Sequence, residues 1–121
     1  MIIRIMAAAL AVSGCLLGPA QAQWLGFGPE SNVPLTREDL DLIKTTLQRE
    51  IHGKRPDTVA TWYNQASGNS GTITLLRKLK RYGMQCEQIA YEMRSRGPRQ
   101  LSDRYVFVSC RLPDGTWKLA S

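Results

Sequence analysis

The stretch Trp62-Tyr63-Asn64-Gln65-Ala66-Ser67-Gly68-Asn69-Ser70-Gly71-Thr72 decides how the chain folds. A β-prone apolar run, residues 59–63, leads into it, and a second, residues 72–76, leads out. Between them stand Asn, Ser and Gly, the residues that tolerate positive φ and bond their own backbone through short side chains. Two apolar runs joined by such a cluster predict strand, tight connection, strand.

Downstream the pattern is of strands alone. Residues 72–82 alternate, with Ile73, Leu75 and Leu79 predicted on one face and Thr72, Thr74, Lys78 and Lys80 on the other. Arg77 breaks the apolar face and Leu76 the polar one. Tyr82-Gly83, Gly97-Pro98 and Pro113-Asp114-Gly115 are turn signals, so strands are expected at 58–63, 72–82, 85–95, 103–112 and 117–120. Upstream, Thr36 is a good N-cap, and Asp39 sits where a capping box places its acid. Leu40, Ile43, Leu47 and Ile51 form one apolar stripe, and His52-Gly53 followed by Pro56 closes the helix. The expected architecture is α+β: one N-terminal amphipathic helix packed on an antiparallel sheet of four to five strands.

The hairpin centred on Pro98 sets a register in which position i faces 196 − i. Cys86 then opposes Cys110, close enough for a disulfide, the alternative being two buried free thiols. Ile89 and Tyr91 share one face with Phe107 and Tyr105, while Ala90, Val106 and Val108 share the other with the cysteines. Since one helix covers one face, the second is expected to meet the Trp24–Phe27 stretch, a second subunit or a membrane.

Residues 1–22 carry a basic start at Arg4, an apolar run and Gly-Pro before Ala20-Gln21-Ala22, the pattern of a secretory signal. The apolar run is shorter than the roughly 20 residues that span a bilayer. Val12-Ser13-Gly14-Cys15 competes as a lipoprotein box, which would lipidate Cys15; the small-residue site after the helix breaker is favoured. Residues 23–34, rich in Gly and Pro, read as a linker, and residues 35–121 as the domain. Loss of Arg4 takes the formal charge from +6 to +5, a balance suited to anionic partners. Export leaves Cys86 and Cys110 as an even pair in an oxidising compartment.

Catalytic residue types are sparse. The one histidine, His52, stands where a helix C-terminus favours a cation, and no triad partner is visible beside it. The cysteines lack C-x-x-C or zinc spacing, and no metal or cofactor is implied. Basic residues are plentiful. Arg77, Lys78, Lys80 and Arg81 crowd the second strand, and Arg94, Arg96, Arg99 and Arg104 the turn after the third. They read either as a charged rim that guards strand edges or as a patch for phosphate- or carboxylate-bearing envelope polymers. Nucleic acid is disfavoured, because aromatic interleaving is sparse and the chain is exported.

The order W-x-N-x-x-S-G-N-S-G-T, then Cys86, Ser109-Cys110-Arg111 and Pro113-Asp114-Gly115-Thr116-Trp117, resembles the C-terminal domain of the rickettsial seventeen-kilodalton surface antigen family. The matching residues are Trp62, Asn64, Ser67, Gly68, Asn69, Gly71, Cys86, Cys110, Asp114, Gly115 and Trp117. The resemblance implies an exported Gram-negative envelope protein, in the periplasm or associated with the outer membrane, with no catalytic machinery. The glycine-zipper segment common in that family is missing here, which speaks against membrane insertion. The expected function is therefore a non-catalytic, surface-antigen-like protein that binds an anionic envelope component, a protein partner or a second copy of itself. The alternative is a small periplasmic enzyme or enzyme inhibitor.

Overall fold

Thr36 opens the helix as anticipated, with its hydroxyl accepting from Asp39 N at 3.1 Å while Asp39 Oδ2 accepts from Thr36 N at 2.8 Å. In the computed structural model, which describes residues 31–120, this capping box starts α1 (Arg37–Thr46). The helix continues into a π-helical turn, Leu47–Ile51, closed by His52 N donating to Leu47 O at 2.8 Å. Gly53 then adopts φ 82°, the left-handed stop that a glycine supplies without a Cβ clash. The helix ends where its sequence says, but the widened last turn was not foreseen.

The strands are β1 (Val59–Tyr63), β2 (Ser70–Arg81), β3 (Met84–Arg94), β4 (Ser102–Arg111) and β5 (Trp117–Leu119). They form one antiparallel five-stranded sheet in sequential order. Tyr82 (φ 53°) and Gly83 (φ 77°) make the two-residue β2–β3 turn, in which both central residues need positive φ. The β3–β4 pairing follows the anticipated register: Cys86 opposes Cys110, Ile89 opposes Phe107 and Tyr91 opposes Tyr105. The Cys86–Cys110 disulfide is formed, which suits an oxidising compartment.

One face of the sheet meets the helix. Ile43, Leu47 and Ile51 pack there on Trp62, Ile73, Leu75, Ile89, Tyr91 and Met93. Residues 31–34, expected to be linker, belong to the same layer. Val33 is fully buried, its N–H donates to Asp103 Oδ2 at 2.8 Å, and Ser31 Oγ lies 2.7 Å from the Tyr105 hydroxyl. The Trp24–Phe27 stretch, Cys15 and the expected signal segment, residues 1–22, lie outside the described residues.

A β-bulge between Leu75 and Arg77 corrects the facing predicted for β2. Leu75 pairs with Ile89, but Arg77 pairs with Gln88 and Leu79 with Cys86, so Leu76 is the extra residue. A one-residue slip exchanges faces for everything beyond it. Leu79 therefore leaves the side of Ile73 and Leu75 and packs with Met84, Ala120 and the disulfide in a second apolar cluster. Lys78 and Lys80 come round to the helix side, opposite Glu87 and Gln85. Elsewhere on the outer face Val59, Tyr63 and Val106 are exposed among the described residues.

Candidate functional site

The turn at residues 64–69 closes around a carboxylate. Asn64 N donates to Asn69 O and Gly68 N to Asn64 O, while Gly68 takes φ 80°. This curl points three side chains at the fully buried Asp39. Asn64 Nδ2 and Ser67 Oγ donate to Oδ1 at 2.7 and 2.8 Å, and Asn69 Nδ2 donates to Oδ2 at 2.7 Å beside the Thr36 N–H. Burial alone would raise the Asp39 pKa. The bonds from Thr36, Asn69, Asn64 and Ser67 outweigh it and hold the group below its ordinary value. Gly71 pairs with Trp62, whose indole lies so close that a Cβ on Gly71 would come within 2.4 Å of Nε1. The W-x-N-x-x-S-G-N-S-G wording is thus explained by architecture: it ties the first hairpin to the start of α1.

The other end of the helix is different. Glu87 points to the helix side of β3 and is buried. Its Oε1 lies 2.7 Å from His52 Nδ1, and its Oε2 accepts from Gly53 N at 2.8 Å. The His52 ring stacks on Trp117, with centroids 4.3 Å apart and planes 3° from parallel. Assigning the Nδ1 proton to the Glu87 bond leaves Nε2 of a neutral ring as an acceptor. The partner that the sequence reading did not find for His52 is therefore Glu87. Its signal was present: a carboxylate in the same phase as Ile89, Tyr91 and Met93 must be paired if it is buried. Burial, and then the Glu87 charge, hold the Tyr91 phenol well above its ordinary range.

Two clefts open beside the His52–Trp117 pair. One, of about 390 Å³, is lined by Lys44, Leu47, Gln48, His52, Gly115, Thr116 and Trp117. The only hydroxyl side chain on its wall, that of Thr116, donates to Asp114 Oδ1 at 2.7 Å. Thr116 therefore closes the β4–β5 turn, and its hydroxyl and N–H bonds hold the Asp114 carboxyl below its ordinary pKa. The second cleft, of about 310 Å³, is lined by Lys78, Lys80, Gln85, Glu87, Arg111 and Trp117 among others.

The predicted basic residues do not form one patch. Lys78 and Lys80 reach the second cleft, Arg81 pairs with Met84 beside the β2–β3 turn, and Arg77 lies on the outer face, its Nε donating to Gln88 at 3.0 Å. Arg94, Arg96 and Arg99 are exposed at the opposite end of β3, where Arg94 opposes Ser70 and the Arg96 chain lies over Gly68. Strand rise puts the two groups roughly 30 Å apart. Arg111, absent from the basic residues singled out by sequence, joins Lys78 and Lys80 instead. Among the described residues no cluster of three or more His, Cys, Asp or Glu is arranged to hold a metal, and no helix is long and apolar enough to cross a membrane. No protein-family model, curated protein or solved structure matches this chain.

Proposed function

We propose that this protein is a non-catalytic, surface-antigen-like module exported to the bacterial envelope, where it binds an anionic envelope component. One observation carries the reading. Among the described residues Arg77, Lys78, Lys80, Arg94, Arg96 and Arg99 are exposed and none forms an ion pair with a carboxylate. Unpaired cations on a small, disulfide-stapled domain create a field that draws anions. The secretory pattern of residues 1–22 and the resemblance of residues 62–119 to the surface antigen domain set that binding in the envelope.

The test is co-sedimentation of the mature chain with outer-membrane vesicles and with purified peptidoglycan, at low and high salt. Binding should be strong at low salt and fall once the Debye length drops below about 8 Å. Sedimentation with neither material at low salt would overturn the reading. A small periplasmic enzyme is the second reading, favoured by the His52–Glu87 pair at the edge of a cleft. It requires hydrolysis of an ester or glycosidic chromogenic substrate that His52→Gln abolishes.

A further inference from the structure

We propose that the cleft between the β2–β3 and β4–β5 hairpins is the binding site, and that it takes a phosphate monoester carried on a sugar. This rests on the anion-binding reading above and narrows it to one place and one chemistry.

The site exists because of the β2 bulge. Without the extra residue at Leu76, Lys78 and Lys80 would stand on the outer face with Thr72 and Thr74. With it, both lysines share the helix-side face with Glu87 on β3 and with Arg111 and Trp117, which oppose each other across β4 and β5. Arg111 reaches beneath the β4–β5 turn, its guanidinium 3.9 Å from the Cβ position of Gly115. Three cations from two strands thus converge on one concavity.

The charge and shape select the ligand. Glu87 lies at the floor, but His52 and the Gly53 N–H already engage both its oxygens. Counting that carboxylate against Lys78, Lys80 and Arg111 leaves two positive charges to be met. A phosphate monoester carries about −1.5 to −2 near neutral pH and offers three acceptor oxygens. It matches this remainder better than a single carboxylate does. Arg111 suits bidentate contact with phosphate, and the lysines serve as mobile point charges. The remaining wall is Trp117, half-buried and clamped by its stack on His52. A fixed indole gives the apolar CH face of a sugar ring a surface on which to shed water. A cleft of about 310 Å³ holds a group of that size.

The experiment is an NMR titration of the mature ¹⁵N-labelled chain with glucose 1-phosphate, inorganic phosphate and glucose. It is paired with sedimentation on vesicles that contain a phosphorylated glycolipid. Glucose 1-phosphate should shift the Trp117 indole N–H and the amides around Lys78, Lys80 and Arg111, and glucose should not. The variant K78Q/K80Q/R111Q should weaken that binding at least about tenfold, since the loss of even one charge-assisted contact is worth roughly that factor. K78Q/K80Q, which changes only exposed side chains, serves if the triple variant loses its native spectrum. R94Q/R96Q/R99Q, which removes three exposed cations of the general field, should leave the pattern of glucose 1-phosphate shifts around Trp117, Lys78, Lys80 and Arg111 in place. Binding of vesicles alone, lost in the lysine variant, supports the same site with a lipid-borne sugar phosphate; binding of the soluble ester as well supports a soluble source. If inorganic phosphate binds as tightly as the ester, the sugar half of the proposal is overturned. Envelope binding that survives K78Q/K80Q/R111Q but fails in R94Q/R96Q/R99Q overturns the site and leaves the general reading standing. Failure of the wild type to bind vesicles or peptidoglycan overturns both.

Discussion

At the N-terminal end of the helix, Asp39 receives hydrogen bonds from Thr36, Asn64, Ser67 and Asn69. At the C-terminal end, Glu87 meets His52 and Gly53 among the described residues. Both carboxylates are buried, and both tie a helix end to the sheet. The first is closed on every side by donors and its neighbours fill the core. The second sits behind a stacked His52–Trp117 pair with a cleft to either side. Residues that look most motif-like in the sequence gather at the closed end. The two clefts beside Trp117, with Lys78, Lys80 and Arg111, lie at the open one.

Replacing each acid by its amide should separate the two ends most sharply. Every group around Asp39 donates and only the Ser67 hydroxyl can also accept, so the NH₂ of Asp39→Asn must point at the Asn64 NH₂ or at the Asn69 NH₂ and Thr36 N–H. One or more of the Asn64, Asn69 and Ser67 bonds is then lost inside the core, at a cost of roughly 2–4 kcal/mol. Glu87→Gln has a way out. Its carbonyl still accepts from Gly53 N, and its NH₂ meets His52 Nδ1 once the ring moves its proton to Nε2. That change should cost less than about 1 kcal/mol. Urea titration of both variants checks it, and equal losses would mean that the ends are not different in kind.

Acid should act on the closed end in the same way as the amide. The folded-state pKa of Asp39 lies below its ordinary value, so its charged form stabilises the fold. That contribution is complete above the unfolded pKa of about 3.9 and disappears as pH falls through the lower folded value. Melting temperature followed from pH 6 downward should therefore fall less steeply in Asp39→Asn than in wild type. Parallel curves would show that other carboxylates carry the acid sensitivity.

How much of this was legible depended on whether periodicity stayed regular. The helix, the five strands and the Cys86–Cys110 register follow directly from spacing, because strand faces alternate strictly and a hairpin centre fixes every pair. The facing of Lys78 and Lys80 did not, since one unpaired residue at Leu76 reverses the phase, and a broken alternation does not by itself say which residue bulges out. The broken alternation at Leu76 and Arg77 was its trace. Asp39 was recognised as a cap but not as a hub, because its other partners lie 25 to 30 residues away in the chain. Arg111 was overlooked because it stands alone in sequence; only the β4–β5 pairing sets it beside Trp117.

The smallest expected effect isolates the cap from the hub. Thr36 bonds Asp39 twice, with roles reversed: its hydroxyl accepts from Asp39 N, and its own N–H donates to Asp39 Oδ2. Thr36→Ala deletes only the first, since the second belongs to the backbone. The N–H of buried Asp39 loses its acceptor beside the exposed Thr36, and the loss of an N-cap of this kind should cost about 1 kcal/mol. The bonds from Asn64, Ser67 and Asn69 are untouched, and the Asp39 carboxylate keeps its full set of donors. The acid-induced fall in melting temperature should then have the same shape in Thr36→Ala as in wild type, merely displaced downward. If the substitution instead flattens that fall as Asp39→Asn does, the hydroxyl holds the whole web in place. Cap and hub would then be one device, and the closed end of the helix would be more fragile than its number of hydrogen bonds implies.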